Sequence, residues 1–157
     1  MSSAEVYLYG HLLGVFILVG AAGLSTGAGI ALPRSASART VVTLTKMIRY
    51  SELIGTSTGI VLVLIFGFAL VGELDYSMGD PWISATFALI IVVLGLDHGY
   101  LLRQARKAHD MAEALGDKPV SEELKAQLNN PMTALVGVLL DVSLLVFLWL
   151  MIAKPGA

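Results

Sequence analysis

Few side chains in this sequence can do chemistry, and most of those lie inside long apolar runs. Asp97 and Asp141 are carboxylates in such runs, Glu52 opens another, and His98 follows Asp97 directly. An ionisable group at the centre of a membrane helix costs about 2.5–3.5 kcal/mol on insertion scales, so each needs a physical reason to be there. Asp141 lies about 12 Å into its run from the basic side, on a face shared with Ala134 and Gly137. Glu52 stands three residues after Arg49, a helical spacing that allows an ion pair. Together with Ser25, Thr26, Ser57 and Thr58, these groups can form one polar layer, with Asp141 as its deepest titratable member. Three readings of the layer stay open: a proton-accessible or ligand-binding pocket, a hydrogen-bonded cluster that fixes helix register, or an interface where Asp141 meets a cation of another protein.

The histidines point elsewhere. His11 lies near one end of the first apolar run and His98 near the opposite end of the third, so the two cannot share a metal or a haem. Either could bind a cofactor alone; for His11 that would be as an axial haem ligand, with Met151 as a possible opposite ligand. The plainer alternative for His11 is a hydrogen bond to a neighbouring helix. His109 falls in a charged stretch and is read as solvated. No HExxH, no cluster of histidines and carboxylates and no glycine-rich phosphate loop occurs, so no catalytic or metal-ligating set is assigned. The absence of cysteine excludes disulfides, thiolate metal sites and a catalytic thiol. Gly23-Leu-Ser-Thr-Gly27 and Gly55-Thr-Ser-Thr-Gly59 fit the spacing of a hydrolase nucleophile elbow. That motif needs a strand, a sharp turn and a histidine partner, so the match is read as coincidence.

The elements that must position these groups are membrane helices. Residues 6–32 run without a charge, and runs beyond about 18–20 apolar residues span a bilayer. Further runs at residues 53–72, 82–102 and 132–152 make four spans in one transmembrane domain. With 56% hydrophobic and 14% charged residues and a mean hydropathy of +0.79, the chain is too apolar for a soluble domain. Its net charge of −2 speaks against a nucleic-acid partner. The expected fold is all-α, an integral membrane four-helix bundle. A secretory signal peptide would open with a basic segment and a shorter apolar core, so the first helix is expected to be retained.

Nine of the ten Lys and Arg residues fall between spans one and two or between spans three and four. The positive-inside rule then places both termini outside and both basic segments in the cytoplasm, in the bacterial cytoplasmic (inner) membrane. Tyr7, Tyr9, Tyr76, Trp82 and Trp149 fall at the outer boundary, and Tyr50 and Tyr100 at the inner one. The basic segments read as helical. Residues 39–50 either extend span two or lie on the headgroups, and span three continues to a glycine stop at Gly116. Ser121 caps a short helix, and Asn130-Pro131 restarts the chain as span four.

Small residues four apart mark where spans touch. Gly10 with Gly14, and Gly20, Gly23 and Gly27, give span one two smooth faces; Ser51, Gly55 and Gly59 give span two one. The strings 23–27 and 55–59 share one depth and are expected to pack against each other.

Two local patterns carry a resemblance: Tyr9-Gly-His-Leu-Leu-Gly14 in the first span and Asp80-Pro-Trp-Ile83 leading the third. With four spans and basic segments after spans one and three, the chain resembles an uncharacterised bacterial family of four-helix integral membrane proteins of unknown function. That family is distantly similar to the copper-resistance protein D and J-type protoporphyrinogen oxidase group. The resemblance implies a metal- or haem-binding role for a first-span histidine, here His11.

The function expected is that of a non-catalytic accessory or assembly subunit of a larger membrane complex, respiratory or photosynthetic in kind. Its partners would be membrane lipids and other membrane subunits, and it would carry no cofactor. The alternative is a small haem-, metal- or quinone-binding redox protein that uses His11 or the Asp97, His98 and Asp141 layer.

Overall fold

A computed structural model describes residues 1–156, and among them every regular element is a helix. Helix α1 (Ser3–Ala31) opens with a capping box: Ser2 Oγ accepts the Glu5 amide and Glu5 accepts the Ser2 amide. It tightens into a 3₁₀ turn at Leu32–Arg34, where Pro33 cannot continue the ladder. Ser37 caps α2 (Ala38–Tyr50) by accepting the Thr40 amide at 3.3 Å. The chain runs without a break from α2 through a π-turn, Ser51–Thr56, into α3 (Ser57–Glu73). The basic stretch 39–50 therefore extends span two instead of lying on the headgroups.

Helix α4 (Pro81–Leu96) starts on proline and passes through a second π-turn, Asp97–Leu101, into α5 (Leu102–Leu115). Gly116 stops α5 with φ +62°, a conformation that side chains with a Cβ rarely adopt. Short α6 (Glu122–Leu128) is capped by Ser121, and α7 (Pro131–Ala153) by Asn130, whose Oδ1 accepts the Met132 amide at 2.9 Å. Four stretches, Ser3–Arg34, Ala38–Glu73, Pro81–Leu115 and Glu122–Ala153, are long and apolar enough to cross a membrane. The protein is an all-helical, four-span membrane bundle.

The larger of its two clusters of buried apolar side chains lies outside the apolar spans. At the basic end, α2, α5 and α6 bury Ala38, Val41, Ala112 and Leu124 completely, with Leu32, Ala108 and Val120 around them. Alanines on α5 let α2 approach closely, and a short bridge between Ser37 and Pro119 closes this clamp. In the membrane, by contrast, large side chains such as Phe16, Ile91 and Ile152 are more than two-thirds exposed and face lipid.

Spans one and two meet backbone to backbone. A Cβ on Gly14 would lie 2.8 Å from the Val63 amide nitrogen, and one on Gly10 would lie 2.6 Å from the Phe66 ring. A Cβ on Gly55 would fall 2.7 Å from that of Ala21, and one on Gly59 would fall 2.6 Å from Leu18. Gly23 and Gly27 have nothing within 4 Å of where a Cβ would stand. The contact expected between strings 23–27 and 55–59 is therefore not made, because the register set by Gly14 and Gly59 puts Gly55 beside Ala21.

Spans three and four share Trp82, Ile83 and Leu150 at the end that carries the termini. There Lys154 Nζ donates to Tyr76 Oη at 2.6 Å, 4.7 Å from the centre of the Tyr76 ring.

Candidate functional site

The polar layer is built where both long helices change their winding. At the end of each π-turn a carbonyl accepts from the amide five residues on, and that carbonyl belongs to the carboxylate residue. Glu52 accepts from Ser57, and Asp97 accepts from Leu102. Single π-turns inside α-helices occur frequently at functional sites. Ser51, at the head of the first, is buried and donates to the Ala21 carbonyl at 2.8 Å, which ties the turn to span one.

Glu52 is buried, and its Oε1 accepts a 2.6 Å hydrogen bond from Ser25 Oγ. Asp97 Oδ2 lies 3.1 Å from Nδ1 of His98, whose ring is 41% exposed. Beside them, Thr26 of span one donates to Asp141 Oδ1 of span four at 2.9 Å. Ser25, Thr26, Glu52, Asp97, His98 and Asp141 thus bring all four spans to one layer. The layer gathers carboxyls and hydroxyls, of which Glu52 is buried and Ser25, Thr26, Asp97 and Asp141 are half-buried, with one exposed imidazole.

Other candidates are placed differently. Ser57 does not add its side chain to the layer; its Oγ turns back to the Glu52 carbonyl at 3.4 Å. The Arg49–Glu52 pair that the spacing allowed is not formed, since Ser25 satisfies the carboxylate instead. His109 is half-buried, not simply solvated: Nδ1 is 2.8 Å from Thr45 Oγ1 and Nε2 is 3.2 Å from Glu113, so the ring bridges α2 and α5.

His11 turns towards span two. Its Nδ1 is 3.0 Å from the Val63 carbonyl, which requires the proton on that nitrogen and leaves the Nε2 lone pair free. Gly67 makes room, since a Cβ there would stand 3.2 Å from Nδ1. Met151 packs with the Trp82 cluster, so it and His11 are held by different neighbours. Among the described residues no group of three or more His, Asp or Glu side chains is placed to hold a metal ion.

Sequence reasoning could locate the carboxylates but not the π-turns, because no residue type marks an i→i+5 bond. The family described as "predicted integral membrane protein (DUF2269)" matches residues 7–155. No curated protein and no solved structure matches the chain.

Proposed function

The chain belongs to the DUF2269 family of integral membrane proteins, and from that premise we propose that it is a non-catalytic accessory or assembly subunit of a larger membrane complex. The complex would be of the energy-converting kind, respiratory or photosynthetic, in the bacterial cytoplasmic membrane. In this reading the basic clamp faces the cytoplasm and both termini face outward, in keeping with the positive-inside rule.

The observation that carries the proposal is the surplus of smooth surface on span one. Gly10 and Gly14 are used up against span two, while Gly20, Gly23 and Gly27 meet nothing in this chain. Glycines lower the stability of a lone helix, and in bilayers they serve close helix approach. A second helix from a partner subunit fits that face. The test is the mass of the particle extracted from its native membrane in a mild detergent. A complex much larger than the chain, with constant co-purifying subunits, is the expected outcome; a lone chain or small homo-oligomer would end this reading.

A second reading has one observation in its favour. Metal-ligating histidines commonly give their other ring N–H to a backbone carbonyl, as His11 does to Val63. In this reading Nε2 of His11 would hold a haem or a metal ion. A Soret band in the purified protein that vanishes in His11→Ala would support it, and a colourless, metal-free preparation would count against it.

A further inference from the structure

Lys107 and Glu123 line one open groove at the basic end, yet they do not pair. The groove encloses about 510 Å³ between α5, α6 and the start of α7, with Gln127, Asn129, Asn130 and Pro131 on its other walls. Both charged residues are exposed, and neither joins an ion pair among the described residues. Elsewhere in the clamp opposite charges find each other: Arg39 lies 3.4 Å from Asp117, and Lys125 lies 2.7 Å from Glu122. A cation and an anion held apart in one groove suit a ligand that carries both charges itself.

Depth puts the two charges in order. The apolar run of span three ends at Leu102, and Lys107 stands about 7.5 Å farther along the helix. The headgroup layer on each side of a bilayer is about 5–8 Å thick, so Lys107 lies at its level. Helix α6 climbs back along α5 towards the membrane. Leu124 is buried in the cluster that holds Ala108 and Ala112, and nearly one turn later Gln127 Nε2 donates to Gln104 Oε1 at 2.8 Å. Glu123, next to Leu124, is therefore the farther of the two from the bilayer. Side chains lean towards the N-terminus of their helix, which is the membrane end for α5 and the far end for α6, and this draws the two charges further apart. At the mouth of the groove, Met132 and Leu135 of span four are about half exposed and offer an acyl chain an apolar path.

We propose that this groove binds the headgroup of a phosphatidylethanolamine lipid, with the phosphate against Lys107 and the ammonium against Glu123. In that headgroup the phosphate adjoins the glycerol and the amine lies beyond it, the same order as the lysine and the carboxylate. Asn130 adds a donor at the phosphate end: its Oδ1 is taken by the Met132 amide, which leaves Nδ2 for a phosphate oxygen. A phosphatidylglycerol would bring no cation to Glu123, and a phosphatidylcholine would bring one without an N–H to donate.

The test is native mass spectrometry of the full chain, purified and delipidated in detergent micelles, titrated with these three lipids carrying identical acyl chains. It needs no partner subunit, so its outcome is separate from that of the particle mass. The ethanolamine lipid should be retained up to about fivefold more than the other two, the most that an exposed ion pair supplies. Glu123→Gln should erase that preference without weakening the glycerol lipid, and Lys107→Gln should weaken both. Lys118→Gln, at an exposed cation outside the groove, should change neither. All three positions are exposed, and unchanged unfolding midpoints will show that the variants fold. Equal retention of the three lipids by the unmodified chain overturns the proposal. So does a preference that survives Glu123→Gln, or a loss in Lys118→Gln equal to that in Lys107→Gln. Soluble phosphoethanolamine that competes as well as the lipid would overturn the bilayer as the source of the ligand.

Discussion

Gly14 and Gly59 face each other so closely that a Cβ on either would stand 3.0 Å from the carbonyl oxygen of the other. This contact sets the register of the first helical hairpin, and with it the depth at which Ser25 meets Glu52. Replacing Gly14 by alanine must push span one off the Val63 amide. We expect a loss of about 1–3 kcal/mol, read as a lower unfolding midpoint in mixed micelles. Gly23→Ala, with open space around it, should leave the isolated chain as stable as before and reduce only the recovery of a native complex.

Ser25→Ala removes the hydroxyl that satisfies buried Glu52. Leaving a buried acceptor without its donor costs about 1–3 kcal/mol, so this small change should destabilise the chain clearly. Adding Glu52→Gln should recover part of the loss, because the amide is neutral. An additive double variant would contradict the link between the two residues.

His11 and Gly67 act as one unit. Gly67→Ala should displace the ring from Val63, and His11→Ala removes it. Interhelical hydrogen bonds in membranes contribute about 0.6–1.7 kcal/mol, so each single change should lose about that much. The double variant should lose no more than the larger single one, as measured by a double-mutant cycle in detergent unfolding.

Orientation has a direct readout. A cysteine replacing Ser77, in the exposed acidic turn between spans two and three, should react with an impermeant maleimide added to intact cells. A cysteine replacing Asp117, at the end of the clamp, should react only after permeabilisation. The reverse pattern would invert the assignment of the basic end to the cytoplasm.

Much of the architecture was legible because a bilayer leaves few choices. Uncharged runs of about 20 residues must be helices, and Ser121, Pro131 and Gly116 mark their ends by the chemistry of capping. The depth of Glu52, Asp97 and Asp141 could be counted from the basic ends. Register could not. The near-identical strings 23–27 and 55–59 suggested each other as partners, yet what decides is the closest backbone approach, and Gly14 with Gly59 reaches it first. Likewise the charges around His109 suggested solvent, whereas Thr45 on the facing helix draws the ring inward. The π-turns left no trace in composition, since they redirect a carbonyl and not a side chain.

The clamp at the basic end also bears on how the chain is made. Its buried face on α2, with Ala38 and Val41 fully covered, is completed only by α5 and α6, which emerge from the ribosome only after α4. The first hairpin can enter the bilayer and close on its own glycines while α2 still waits with an apolar stripe uncovered. Biosynthesis is therefore committed late. A nascent chain halted before α4 holds a membrane hairpin with an unmatched face, the kind of surface that quality-control proteases and chaperones engage.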